Sequence, residues 1–185
     1  PPAEQPVNQI QPPPGWPGPY KTHTTEVKLN VTATDIRNAA ATLEGKIIRT
    51  PFIEAPMLSR ILGCDLTLKL ENIQHTSSFK ARGAYIAMQA LDEASRQRGV
   101  ITMSAGNHAQ AVAYHASKMG IPATIVMPAQ TPFAKVSRTR AFGADVVLEG
   151  RNLNECEGTV NRLIAERGLS LIHPYDNELV MMGQG

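Results

Sequence analysis

The chain has 185 residues, 42% hydrophobic and 18% charged, which suits one soluble globular domain or one domain with part of a second. Eighteen Lys and Arg against sixteen Asp and Glu leave a formal charge of +2, and no basic stripe with interleaved aromatics speaks for nucleic acid. No apolar run approaches a membrane span, and the start has no charged segment followed by an apolar one, so a cytoplasmic protein is the expectation.

The first twenty residues, PPAEQPVNQIQPPPGWPGPY, hold eight prolines and almost no charge. Such a composition forms neither helix nor central strand, so residues 1–30 read as a disordered, polyproline-like tail. Order is expected from Val31. Thr34 and Asp35 precede IRNAAATLEG, where Ile36, Ala39, Ala40 and Leu43 share a helical face and Gly45 offers a stop. IIRTPFIEAPMLSRILG reads as an extended segment broken by Pro51 and Pro56, then a short helix; LTLKLE over 66–71 alternates as a half-buried strand.

From Lys80 the pattern is regular. One helix with Ala84, Ala87, Met88 and Leu91 on a face leads to Gly99 and the apolar run VITM. A second, with Ala109, Val112, Ala113 and Ala116 on a face, closes at Gly120 before ATIVM. Thr131-Pro132 offers an N-cap and first-turn pair for a third helix, which ends near Gly143 before ADVVL. A fourth spans about Leu153 to Glu166, with Gly168 before LSLI. Short apolar strands alternating with amphipathic helices specify an open α/β unit of about four parallel strands. In such a unit ligands sit beyond the carboxyl ends of the strands, so the strand-to-helix loops are where functional groups belong.

Two segments carry candidate chemistry. In TSSFKARG, residues 76–83, Ser77 or Ser78 can cap the next helix and Lys80 falls in its first turn, where a cation opposes the helix dipole. An exposed lysine there is an ordinary solvated side chain. An enclosed one has its ammonium disfavoured by desolvation and by the dipole, leaving a free amine as nucleophile and base. SAGNHAQ, residues 104–110, is either a small-residue turn capping a helix, with Asn107 as N-cap, or an anion cradle of backbone N–H groups. The histidines offer no metal set: His108 and His115 lie seven apart with no third ligand, and Cys64 and Cys156 read as free thiols of a reducing compartment.

ENIQHTSSFKARGAY (71–85) followed by SAGNHAQAVAY (104–114) resembles the threonine dehydratase and serine racemase group of fold type II pyridoxal-phosphate enzymes, over about Val31 to Gly185. The resemblance implies pyridoxal 5'-phosphate as cofactor, bound to Lys80 as an internal aldimine. Phe79 would lie against the cofactor and Asn107 would bond its ring 3-oxygen. Ser104, Ala105, Gly106, Asn107 and His108 would surround the substrate carboxylate. Lys80 would also remove the α-proton, and loss of the β-hydroxyl from L-threonine or L-serine would lead to a 2-oxo acid and ammonia, for threonine the entry compound of isoleucine synthesis. Serine racemases carry a second serine where this chain has Ala105, which favours elimination.

The same resemblance divides the chain into residues 31–77, the first part of a larger α/β domain; 78–175, a small domain with helices on both sheet faces; and 176–185, the return to the larger domain. It puts the glycine-rich phosphate loop beyond the equivalent of Gly185 and implies dimers or tetramers. Gly183 and Gly185 read as the end of a domain segment. The alternatives to a dehydratase are a serine racemase and a non-catalytic fragment that binds a partner.

Overall fold

The computed structural model describes residues 30–185. The proline-rich tail expected over 1–30 lies outside the described residues except for Asn30, whose side chain donates to Glu178 at 2.9 Å. The chain clusters into two compact units, one including Phe52–Leu68, the other Asn30–Pro51 with Lys69–Gly185.

The first unit contains β1 (Phe52–Glu54) and α2 (Pro56–Leu62), with β2 (Thr67–Lys69) running to its edge and pairing with β1. Pro56 occupies the first helical position, where its missing N–H costs nothing, and Gly63 closes the helix. Neither β1 nor α2 buries a residue: Phe52 is 65%, Met57 68% and Leu62 61% exposed.

The second unit is built on a parallel sheet ordered β5-β4-β3-β6, from β3 (Val100–Met103), β4 (Ala123–Met127), β5 (Asp145–Leu148) and β6 (Ser170–Leu171). Strand alternation sends successive side chains to opposite faces. Val100, Ile125, Met127 and Val146 pack in one core with α3 (Lys80–Gln89), α5 (Asn107–Met119) and α6 (Phe133–Ala141). Ile101 and Val126 pack in another with Cys156, Val160 and Leu163 of α7 (Leu153–Arg167). The expected open parallel sheet covered on both faces is therefore present. Full burial of a side chain such as Ile125 contributes about 1.5–3 kcal/mol. Gly120 and Gly168 end α5 and α7 in the left-handed conformation, with φ of 69° and 65°.

Several boundaries differ from the sequence pattern. Helix α1 (Ala33–Leu43) is capped by Thr32 rather than at Thr34-Asp35; Asp35 sits three residues in and bonds back, completing a capping box. Between the one expected helix, with Ala84 to Leu91 on a face, and Gly99 there is a second, because the Asp92 side chain accepts from Ser95 N at 2.7 Å and starts α4 (Glu93–Arg98). Pro132, not Thr131, occupies the α6 cap position, and no side-chain cap bond forms. Gly183, read from the sequence only as the end of a domain segment, lies within α8 (Glu178–Gln184), which packs on α3 and has Gly185 as its cap residue. At that crossing a Cβ on Gly183 would lie 2.7 Å from Arg82 O and 2.8 Å from Gly83 Cα, so only glycine lets the helices meet so closely.

Candidate functional site

The turn before α3 is set by two residues of ENIQHTSSFK. The Gln74 side chain accepts from Ile48 N at 2.9 Å and donates to Ile48 O at 2.8 Å, tying the turn to the 46–50 segment. Glu71 accepts from Thr50 Oγ1 at 2.6 Å and faces Arg82 at 3.8 Å. Ser77 then adopts φ 56°, a left-handed conformation uncommon outside glycine, which swings the chain into α3. The expected serine cap does not form. Phe79 holds the cap position without a side-chain bond, and Ser78 Oγ and Thr76 Oγ1 are buried without a protein partner.

Lys80 is thus the first residue of α3. Its amine donates to Pro174 O at 2.6 Å and lies 5.1 Å from the centre of the half-exposed Phe79 ring. Burial holds the amine below the ordinary lysine range. The amine is therefore partly buried and hydrogen-bonded.

Residues 104–106 form the β3-to-α5 loop, where Gly106 N donates to Ser104 Oγ at 3.2 Å. Gly106, not Asn107, is the α5 cap residue; Asn107 is the exposed first residue of the helix. His108 is buried, and its Nε2 pairs with Ile172 O at 2.9 Å while Nδ1 has no protein partner. Burial pushes His108 down to about 4 against that hydrogen bond, with smaller downward contributions from Lys80 and His173. The ring is neutral near pH 7, so Nε2–H donates and Nδ1 is a bare acceptor.

Lys80, Phe79 and His108 therefore meet where β3 and β6 end, and the loop 104–106 opens from the same strand ends. Sequence reasoning missed the exit of the last strand, His173-Pro174-Tyr175-Asp176, which receives the lysine. The signal was present: the rule that functional groups belong in the loops after the strands also covers the loop after LSLI. A hollow of about 270 Å³ lined by Asp35, Asn38, Thr42, Ile86, Gln89 and Met182 lies toward the other end of α3. It lacks a nucleophile or base suited to this chemistry, since the Asp35 carboxylate is held below its usual range by bonds to Thr32. Among the described residues no cluster of His, Cys, Asp and Glu could hold a metal, and no helix is long and apolar enough to cross a membrane.

The profile of the family described as pyridoxal-phosphate dependent enzyme matches residues 43–185. The chain is 44% identical over 155 residues to an L-threonine ammonia-lyase of Thermotoga maritima, covering 84% of this chain and 39% of the relative. It is 44% identical over 165 residues to a catabolic L-threonine dehydratase of Staphylococcus aureus, covering 89% and 48%. Among solved structures, serine racemase from Dictyostelium discoideum superposes with a TM-score of 0.76 at 36% identity, over 83% of this chain and 50% of that one. Threonine deaminase isoform 2 from Solanum lycopersicum superposes at 0.73 and 36%, over 83% and 44%. The chain thus spans half or less of the length of these relatives.

Proposed function

Because this chain belongs to the family of pyridoxal-phosphate dependent enzymes, we propose that it is part of an ammonia-lyase that converts L-threonine to 2-oxobutanoate and ammonia, and L-serine similarly. The observation that carries this reading is the Lys80 amine, partly desolvated at the start of α3 and held at the carboxyl edge of the sheet. Relatives named for threonine support it. The reaction is proposed for a protein of the relatives' full length.

The residues present fit the cofactor. Lys80 offers an amine whose charged form is disfavoured, and Thr76, Ser78 and His108 each keep a buried polar atom without a protein partner. Lys80 would hold the cofactor covalently, Phe79 would lie against it and Asn107 would bond its ring oxygen. Bound there, pyridoxal 5'-phosphate supplies an aldehyde for the amine and a ring that withdraws electrons from the substrate α-carbon.

Every other role belongs to the chain. Ser104, Ala105, Gly106, Asn107 and His108 would receive the substrate carboxylate at the start of α5, where backbone N–H groups and the helix dipole favour an anion. The Lys80 amine would take the α-proton, since burial disfavours its charged form. His108, neutral and buried, would keep this end of the site free of added positive charge. Ala105 has no proton to give on the opposite face, which supports elimination over the racemisation named in the structural relatives.

Residues 31–77 are proposed to belong to a larger domain reached again through 176–185, and the exposed apolar side chains of β1 and α2 support this. The phosphate loop, a dimeric or tetrameric assembly, a cytoplasmic setting and a place at the entry to isoleucine synthesis belong to the same proposal.

Titration with pyridoxal 5'-phosphate, in this chain and in one of the relatives' length, should give the absorption band of a lysine-bound aldehyde that Lys80→Ala abolishes. The longer protein should release ammonia from L-threonine without rapid L-to-D conversion of serine. No band in either form would remove the enzyme and leave the partner-binding fragment; rapid serine inversion would favour the racemase.

A further inference from the structure

Past β6 the chain makes a turn, His173-Pro174-Tyr175-Asp176, whose bonds flank the Pro174 carbonyl that accepts from Lys80. His173 Nδ1 accepts from Asp176 N at 2.8 Å and from Tyr175 N at 3.4 Å. Both amides of the turn are thus tied to one ring atom. The Tyr175 ring packs edge-on against the His173 ring, with centroids 4.6 Å apart. On the upstream side, Ile172 N donates to Ile101 O at 2.9 Å, and Ile172 O is engaged by His108 Nε2 at 2.9 Å. Pro174 lies between these two histidine anchors. Its ring fixes φ, so few dihedral freedoms remain to the carbonyl that accepts from Lys80 at 2.6 Å.

We propose that this turn is a device for placing the Lys80 amine, with His173 as a positioning residue that acts through the Pro174 carbonyl. The inference rests on the reading of Lys80 as the cofactor's anchor. A lysine side chain left alone samples many rotamers, and ordering it costs on the order of 1.5–2 kcal/mol. A short charge-assisted bond to a rigid carbonyl opposes that loss and keeps the amine beside Phe79 and His108. An aldehyde brought to the site would meet the amine in one geometry, once the ammonium had released its proton to water and its bond to Pro174. His173 is a support and not itself a proton carrier at Nδ1, because that atom is occupied by two amides.

Competitive trace acetylation with acetic anhydride across the alkaline range, read by site-resolved mass spectrometry, measures this without cofactor or activity. Exposed Lys46 serves as the internal reference. In the parent chain the Lys80 labelling midpoint should lie below that of Lys46. His173→Ala removes the acceptor for both amides; the amine is released to water and its midpoint should rise to that of Lys46. His173→Asn, whose Oδ1 can accept from the same amides, should restore the low midpoint. A merely structural role would lower stability and leave the midpoint in place.

An unmoved midpoint in folded His173→Ala, or no recovery in folded His173→Asn, overturns the proposal. If His173→Ala does not fold, Pro174→Gly, which keeps the carbonyl and frees its φ, carries the same expected rise, and no rise there overturns it equally. Titration of the same proteins with pyridoxal 5'-phosphate separates the two readings. A band in the parent with an unmoved midpoint removes the positioning turn alone; no band with a moved midpoint removes the cofactor reading alone.

Discussion

Gly183→Ala tests whether α8 docks on α3 as closely as the structure places it. The new Cβ would lie 2.7 Å from Arg82 O, 2.8 Å from Gly83 Cα and 2.9 Å from Ile86 Cγ1, so two of the three nearest atoms are backbone and cannot rotate away. Ordinary contact begins at 3.4 Å, so the helices must separate by about 0.7 Å along the shortest contact. Arg82 bonds the carbonyls of Gly183 at 3.2 Å and Gly185 at 3.1 Å, and movement of that size would break or weaken both. Overpacking of this kind costs about 1–3 kcal/mol, and the lost bonds add about 1 more. Replacing a helical glycine by alanine returns about 1 kcal/mol of intrinsic preference. The net expectation is a loss of about 2 kcal/mol, or about 4–8 °C in Tm for a chain of this size. Urea unfolding followed by circular dichroism measures the total, and hydrogen exchange of α8 amides shows whether the loss is at the docking surface. A variant as stable as the parent, with unchanged α8 protection, would refute the close crossing.

Gln74→Ala leaves both backbone groups of Ile48 without their partner and should cost about 2 kcal/mol by denaturant titration, since each bond is worth about 1 kcal/mol. Asn152→Ala removes the α7 cap bond to Glu155 N at 3.0 Å and should cost about 1 kcal/mol in the same assay. Stability should also fall on acidification. Burial depresses His108 and His115 to about 4 from 6.5, so between those pH values the unfolded chain binds protons that the folded chain refuses. Their contribution is complete above about pH 6.5 and is lost as pH falls toward 4, on the order of a few kcal/mol for the pair. A urea midpoint that stays flat from pH 7 to 4.5 would contradict the buried, neutral state of both rings.

The sheet was legible because its strands are apolar runs bounded by glycines that must turn left-handed, as Gly120 and Gly168 do. Lys80 at the start of α3 was legible for a similar reason: turn residues precede it and a buried helical face follows. The details of that start were not. Ser77 and Ser78 have the chemistry of a cap, but Gln74 and Glu71 fix the turn through partners 21 to 26 residues away, and those contacts leave Phe79 in the cap position. Helix α8 was hidden because its glycine resembles a loop signal; the reason for it is the Arg82–Gly83 backbone of another helix.

The acceptor of the lysine was hidden more deeply. A motif records side chains, and Pro174 contributes only a carbonyl, which every residue possesses. Its position follows from the pairing of β6 with β3, two strands about seventy residues apart, and from two histidines that the motif reading either assigned to the substrate or passed over. TSSFKARG therefore identifies the amine, while the geometry that makes the amine useful is written in the strand order and in the turn after the last strand.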